Sequence, residues 1–124
     1  MPENPFVLIA DDDAFFGMLL KGGLKEGQFD AQTVENGEEA MKVIHTRRPD
    51  ILVLDLVMPI KDGFEVLKEI KADSKLKGMR IVVLTNLAQE EDRNRALELG
   101  VTDFILKSSI SMAGLVEKIK GILK

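Results

Sequence analysis

Polar side chains that could do chemistry follow four of the five short apolar runs in the chain. Three aspartates, residues 11–13, follow the first run, and Asp55 follows the third. Thr85 and Lys107 follow the fourth and the fifth. Clustered carboxylates repel one another unless a cation neutralises them, and an ionised aspartate is a nucleophile that can form an aspartyl-phosphate. Since an ammonium and a hydroxyl would hold phosphoryl oxygens, these residue types point to metal-assisted phosphoryl transfer.

The composition limits which metal ions the chain could bind and which classes of partner it could have. The chain has 124 residues, no Cys and a single His, His45, so Mg²⁺ or Mn²⁺ with oxygen ligands is expected rather than Zn²⁺. The net charge is −4 and Lys and Arg do not cluster, which predicts no direct nucleic-acid binding. Because no apolar run is long enough for a membrane span and no signal peptide is recognisable, we expect a cytoplasmic protein without membrane contact.

The chemistry-bearing residues can meet only if the apolar runs are strands of one parallel sheet. The predicted strands are residues 6–10, 31–34, 51–54, 81–84 and 104–106. All but the second are almost wholly apolar, as strands covered on both faces are, whereas the more polar run 31–34 predicts an edge strand. The segments between these runs have apolar residues at helical spacing, so the chain consists of five strand–helix units. With right-handed crossovers these units predict an open α/β sheet with helices on both faces. Functional groups of such a sheet gather beyond the carboxyl ends of its strands.

The apolar stripes of the predicted helices also assign residues to the core or the surface. Met18, Met41 and Met112 follow these stripes and are predicted to be buried. His45 lies beside two arginines on a predicted helix, which indicates an exposed side chain without a functional role. The segment 73–78 is predicted to be a polar loop.

The pattern resembles the receiver domain of two-component response regulators, of the chemotaxis-regulator type, over nearly the whole chain. The matching features are the Asp11-Asp12 pair after LIA, the segment LVLDLVMPIKDGFE, VVLT, and DFILK. The resemblance implies a single receiver domain over residues 1–124. It also implies a flavodoxin-like, doubly wound (βα)5 three-layer sandwich with strand order 2-1-3-4-5.

The same resemblance implies a phosphoacceptor role and a metal site. Asp55 would take the phosphoryl group from the phosphohistidine of a histidine kinase or histidine phosphotransfer protein. Mg²⁺, or Mn²⁺, would be bound by Asp11, Asp12, Asp55 and the main-chain carbonyl of Val57. The protein would catalyse its own phosphorylation and slow self-dephosphorylation without being a conventional enzyme.

The resemblance further implies a switch. Thr85 and Lys107 would bind the phosphoryl group, and the aromatic side chain of Phe104 would follow Thr85 when it moves. The signalling surface would be the last two helices and the strand between them, which would bind a downstream effector of unknown identity. The expected oligomeric state is a monomer or a phosphorylation-linked dimer.

Several positions depart from the family pattern. Asn86 stands where a small residue is usual, and Ser108 replaces the proline that usually follows the lysine, which leaves open whether the peptide bond after Lys107 is cis as in the family. Val57 and Leu87, two residues beyond Asp55 and Thr85, are apolar where many relatives have polar groups. Because polar neighbours usually orient a hydrolytic water, these positions are predicted to tune the phosphoryl lifetime.

Two alternatives share the same residues. One is a pseudo-receiver, an interaction module with this fold that is not phosphorylated. The other is a haloacid-dehalogenase-like phosphatase, in which Asp11 is the nucleophile, Asp13 completes the Asp-x-Asp motif and Thr85 is the hydroxyl residue. The phosphatase interpretation leaves Asp55 without a role.

Overall fold

Strands and helices alternate along the chain as predicted. The computed structural model describes residues 4–123, and within this range five strands alternate with five α-helices. The strands are β1 (Phe6–Ala10), β2 (Asp30–Val34), β3 (Ile51–Leu54), β4 (Arg80–Thr85) and β5 (Asp103–Leu106). The helices are α1 (Ala14–Glu26), α2 (Gly37–Thr46), α3 (Gly63–Ala72), α4 (Glu90–Glu98) and α5 (Met112–Ile122).

The strands form one parallel sheet in the order β2-β1-β3-β4-β5, which confirms the predicted fold class and topology. The predicted edge position of β2 is also confirmed, because β2 is the outermost strand of the sheet and pairs with β1 on one side. The strand order reverses between β1 and β3. The carboxyl ends of these two neighbouring strands therefore flank the crevice in which sheets of this kind place their functional groups.

The hydrophobic core has two layers, one on each face of the sheet, because neighbouring side chains along a strand point to opposite faces. Val7, Ile9 and Val53 belong to the layer beneath α1 and α5. Leu8 and Leu54 belong to the layer beneath α2, α3 and α4. The parity of a residue along its strand therefore decides which layer it joins, and this also holds for the polar residues that follow the strands.

Side-chain caps fix where most of the helices begin. Asp13, Asn36, Asp62 and Ser111 each accept a hydrogen bond from a backbone N–H in the first turn of α1, α2, α3 and α5 respectively. Helix α4 begins without such a cap, and Ala96 is its only buried residue. Among the described helices, α4 is therefore the one with the weakest local anchoring.

The prediction that Met18 is buried is wrong. Its side chain is 59% exposed, and Phe15 and Leu19 are exposed beside it. Leu20 and Leu24 are the fully buried residues of α1 instead. Helix α1 has apolar residues around much of its circumference, so their spacing alone does not determine which of them face the sheet.

The remaining assignments to core and surface are largely confirmed. Met41 is buried, Met112 packs partly buried against the core, and His45 is exposed. The segment 73–78 is a connection as predicted, but it contains a short 3₁₀ turn in which Leu76 is buried. No helix in the described part of the chain has both the length and the apolar character to cross a bilayer.

Candidate functional site

The sheet itself brings Asp11 and Asp55 together. Ala10 and Leu54 are register partners at the ends of β1 and β3, so the residues that follow them are neighbours. The backbone N–H of Asp55 donates to the carbonyl of Ala10 at 2.9 Å, and that of Asp11 donates to the carbonyl of Val34 at 3.0 Å. The backbones of both aspartates are therefore held in place by hydrogen bonds to the adjacent strand.

Three carboxylates meet at this point. One carboxylate oxygen from each of Asp11, Asp12 and Asp55 lies within 4.8 Å of the other two. Asp11 and Asp55 are buried, whereas Asp12 is exposed at the mouth of the cluster. A compact set of hard oxygen donors with one open side fits Mg²⁺ or Mn²⁺ and does not fit a metal that prefers nitrogen or sulfur ligands.

Lys107 supplies the positive charge of the site. Its Nζ lies 2.7 Å from Oδ2 of Asp11 and 3.3 Å from Oδ2 of Asp55, and its side chain is 12% exposed. Burial raises the pKa of Asp11 although Lys107 and the N–H of Asp13 donate hydrogen bonds to its carboxylate. Burial acts to lower the pKa of Lys107, but the contacts with Asp11 and Asp55 outweigh it, so this pKa is raised and the side chain stays an ammonium.

The backbone at the end of β5 places Lys107 beside the carboxylates. Leu106 pairs with Thr85 in the sheet, and Lys107 then begins a 3₁₀ turn that runs to Ser109. The peptide bond between Lys107 and Ser108 is trans. The lysine therefore reaches the site from a short turn with a trans bond.

Thr85 is fully buried and lies at the end of β4. Its hydroxyl oxygen accepts a hydrogen bond from the backbone N–H of Leu87 at 3.3 Å. By strand parity Thr85 shares a face with Val83 in the layer beneath α2–α4, whereas Asp55 shares a face with Val53 in the layer beneath α1 and α5. Val83 is also the register partner of Phe104, so the fold groups Thr85 with the aromatic residue.

Phe104 is partly buried and lines an open groove between α4, β5 and α5. The groove has a volume of about 410 Å³, and Arg93, Ile110 and Lys118 line it as well. It lies on the surface that was predicted to signal. The aromatic ring therefore has both core contacts and access to that surface.

The positions that depart from the family pattern surround the site. The backbone N–H of Val57 donates to Oδ1 of Asp55 at 3.3 Å, and the Val57 side chain is exposed. Asn86 is exposed, while Leu87 packs partly buried against the core beneath α2–α4. The two apolar side chains therefore differ in their surroundings, since Val57 faces solvent and Leu87 packs against the core.

Asp13 and Phe16, at the start of the first helix, lie next to the carboxylate cluster and Lys107. The side chain of Asp13 caps α1 by accepting from the N–H of Phe16 at 3.1 Å, so Asp13 does not belong to the carboxylate cluster. The Nζ of Lys107 lies over the ring of Phe16, 4.8 Å from its centroid. Periodicity marks Phe16 only as an apolar helix residue, and its contact with Lys107 depends on how α1 packs against β1, β2 and α5.

The comparisons with known proteins agree with this geometry. The sequence model of the response regulator receiver domain matches residues 7–120. The alkaline phosphatase synthesis transcriptional regulatory protein PhoP of Bacillus subtilis is 34% identical over 98% of this chain and 49% of its own length. The chemotaxis protein CheY of Halobacterium salinarum is 38% identical over 82% of both chains. The structure of the phosphorylated cyanobacterial phytochrome response regulator RcpA superposes with a TM-score of 0.83 at 33% identity, over 96% of this chain and 91% of that one.

These matches decide between the families considered from the sequence. The chain spans about half the length of most of the curated regulators it matches, 49% in the case of PhoP. The matched region includes the ends of all five strands and hence the whole carboxylate cluster. The interpretation as a haloacid-dehalogenase-like phosphatase is therefore wrong. The chain belongs to the response regulator receiver domain family.

Proposed function

We propose that Asp55 accepts a phosphoryl group from the phosphohistidine of a histidine kinase or histidine phosphotransfer protein. One observation carries this proposal: the buried carboxylate of Asp55 lies close to those of Asp11 and Asp12 and to the ammonium of Lys107. Because the incoming phosphoryl group is itself negative, the nucleophile needs positive charge beside it. Lys107 and a cation bound by the carboxylates would supply that charge. Residues 1–124 would then act as one receiver domain in a two-component phosphorelay.

The transfer needs no general base, because an ionised carboxylate is already a nucleophile. An oxygen of Asp55 attacks the phosphorus and forms the new O–P bond. The P–N bond to the imidazole breaks, and its electron pair stays on the ring nitrogen, which takes a proton from solvent. Lys107 faces the phosphoryl oxygens and offsets their charge, so the protein contributes mainly position and electrostatics.

The donor set would hold Mg²⁺ or Mn²⁺ through Asp11, Asp12, Asp55 and the main-chain carbonyl of Val57. When bound, the cation would neutralise negative charge on the carboxylates and on the transferred group. The chain's own residues define the site around it. Asp11 is held by Lys107 and by the N–H of Asp13 at 2.9 Å, and Asp12 provides the open side.

Phosphorylation would be read out through Thr85 and Phe104. The Thr85 hydroxyl would leave the N–H of Leu87 for a phosphoryl oxygen, and Phe104 would move into the space beside it. That movement would change the groove between α4, β5 and α5, where a downstream effector would bind. The receiver domain itself would be a monomer or a phosphorylation-linked dimer. The protein would catalyse its own phosphorylation and slow self-dephosphorylation without acting on a separate substrate.

Mass spectrometry of the intact protein tests the proposal. The chain is incubated with acetyl phosphate in Mg²⁺ or in EDTA, and the addition of one phosphoryl group is measured over time. Asp55→Asn should remain folded and should not be labelled. Asp13→Asn is the matched control, because asparagine also caps helices and the carboxylate removed lies outside the cluster.

The outcomes separate the remaining readings. The phosphoacceptor role is supported if the wild type and Asp13→Asn are labelled in Mg²⁺ but not in EDTA, and Asp55→Asn is labelled in neither. A folded wild type that is not labelled by acetyl phosphate or phosphoramidate would instead indicate a pseudo-receiver. Equal labelling of Asp55→Asn and the wild type would show that another residue is the acceptor.

A further inference from the structure

Phe16, Asp13, Asp11 and Lys107 form a closed ring of contacts. The Lys107 ammonium lies 2.7 Å from Oδ2 of Asp11, whose Oδ1 accepts the N–H of Asp13 at 2.9 Å. The carboxylate of Asp13 accepts the N–H of Phe16 at 3.1 Å, and the Phe16 ring lies beneath the ammonium. The start of α1 and the position of Lys107 are therefore linked through both a hydrogen-bonded path and an aromatic contact.

The contact with the ring differs in kind from the other contacts of Lys107. The negative face of an aromatic ring attracts an ammonium within about 6 Å of its centroid, and the attraction strengthens when the cation is shielded from water. Here the separation is 4.8 Å and the Lys107 side chain is 12% exposed. A ring carries no net charge, so it does not compete with the phosphoryl group for the ammonium as the carboxylates of Asp11 and Asp55 do.

We propose that Phe16 is a positioning residue whose ring holds the ammonium of Lys107 at the carboxylate cluster while its anionic partners change. The proposal rests on the function proposed above, in which Lys107 transfers its contacts from Asp11 and Asp55 to the phosphoryl group. Two of its charged contacts are replaced in that step, and Phe16 is the neighbour that stays the same. The aromatic ring thus limits how far the flexible lysine side chain departs from the site.

The first part of the test measures the contact without phosphorylation. In metal-free protein the aromatic ring current should shift the Lys107 ε-methylene proton resonances upfield in the NMR spectrum. Phe16→Leu keeps apolar bulk in the partly buried site and should return these resonances to the ordinary lysine position, and Phe16→Tyr should restore the shift. Ordinary ε-methylene resonances in the folded wild type would overturn the proposal.

The second part measures the electrostatic contribution of the ring. Fluorinated phenylalanines with one, two and three fluorines are placed at position 16, where they keep the ring shape and progressively weaken its negative face. The logarithm of the rate of phosphorylation by acetyl phosphate should fall linearly with fluorination, by about tenfold overall. The same series at Phe29, a buried ring in the same core layer, is the control and should leave the rate unchanged.

The two parts fail differently. If fluorination changes the phosphorylation rate no more at position 16 than at position 29, the ring packs against Lys107 without an electrostatic role, and the proposal is wrong. If the wild type is not labelled at all, the function proposed above is wrong. The methylene resonances then still decide whether Phe16 holds Lys107.

Discussion

The backbone of Gly63 lies against the carbonyl of Asp55. A Cβ at position 63 would be 2.4 Å from that carbonyl oxygen and 2.7 Å from the Cα of Leu56. The N–H of Gly63 also donates to the carbonyl of Leu56 at 3.0 Å. Because the opposing atoms are backbone atoms held at the end of β3, neither side can move away cheaply.

Gly63→Ala should therefore destabilise the protein and displace the loop between β3 and α3, which begins with Asp55. We expect the free energy of unfolding to fall by about 1–3 kcal/mol, the range for forced overpacking, and the phosphorylation rate to fall with it. Gly22→Ala is the control, because a Cβ there meets nothing within 4 Å and should raise the free energy of unfolding by about 1 kcal/mol. Urea denaturation measures both, and equal stability of the two variants would contradict the steric argument.

Lys107→Ala should separate metal binding from signalling. Loss of a charge-assisted contact costs about 1.5–3 kcal/mol, so transfer from acetyl phosphate should slow by at least tenfold while Mn²⁺ still binds. The NMR changes around Phe104 on phosphorylation should also disappear. Lys42→Ala removes an exposed ion pair with Glu38 on α2, outside the groove that Phe104 lines, and is the control. Unaltered shifts around Phe104 in phosphorylated Lys107→Ala would show that the ammonium does not couple the two sites.

Val57 and Leu87 should lengthen the life of the aspartyl-phosphate. A hydrolytic water must align with the Asp55–phosphorus bond, and neither apolar side chain offers it a hydrogen bond. Val57→Asn combined with Leu87→Glu should accelerate phosphate loss about tenfold, which corresponds to about 1.4 kcal/mol of barrier. Phosphate release from purified phosphoprotein in Mg²⁺ measures this. Wild-type decay within seconds, unchanged in the double variant, would contradict it.

Ile60 has a strained backbone in the loop between β3 and α3. Its φ is 70°, a region that β-branched residues rarely adopt, and its side chain is 73% exposed, so little packing depends on it. Ile60→Gly should raise the free energy of unfolding by about 1 kcal/mol, because relief of strain exceeds the added chain entropy. Ile60→Ala keeps a Cβ and should recover less than half of that gain. Urea denaturation that finds Ile60→Gly less stable than the wild type would show that this backbone is not strained.

Much of the fold could be predicted because the strand pattern is strong. Runs such as residues 51–54 are apolar throughout and too short for a helix, which favours a strand covered on both faces. The position of residues 31–34 at an edge follows from their polar composition. The order of the strands came from the resemblance to receiver domains, since local patterns do not determine which strands pair.

The sequence was less informative where the answer depends on direction or on packing. Met18 and Leu20 both suit an apolar helix, and only the packing of α1 on the sheet distinguishes the exposed residue from the buried one. Thr85 follows a strand as Asp55 does, yet parity gives it the opposite face. Phe16 meets Lys107 through the packing of α1 on β1, β2 and α5, and nothing in the sequence of either segment predicts this contact.

Identification of the phosphorylated residue tests the central claim most directly. The wild type is labelled with acetyl phosphate in Mg²⁺, the acyl phosphate is reduced with borohydride, and the modified residue is located by peptide mass spectrometry. The account predicts one modified residue, Asp55, and no modification when EDTA replaces Mg²⁺. Modification of Asp11 or Asp12 in place of Asp55 would contradict the assignment of the acceptor.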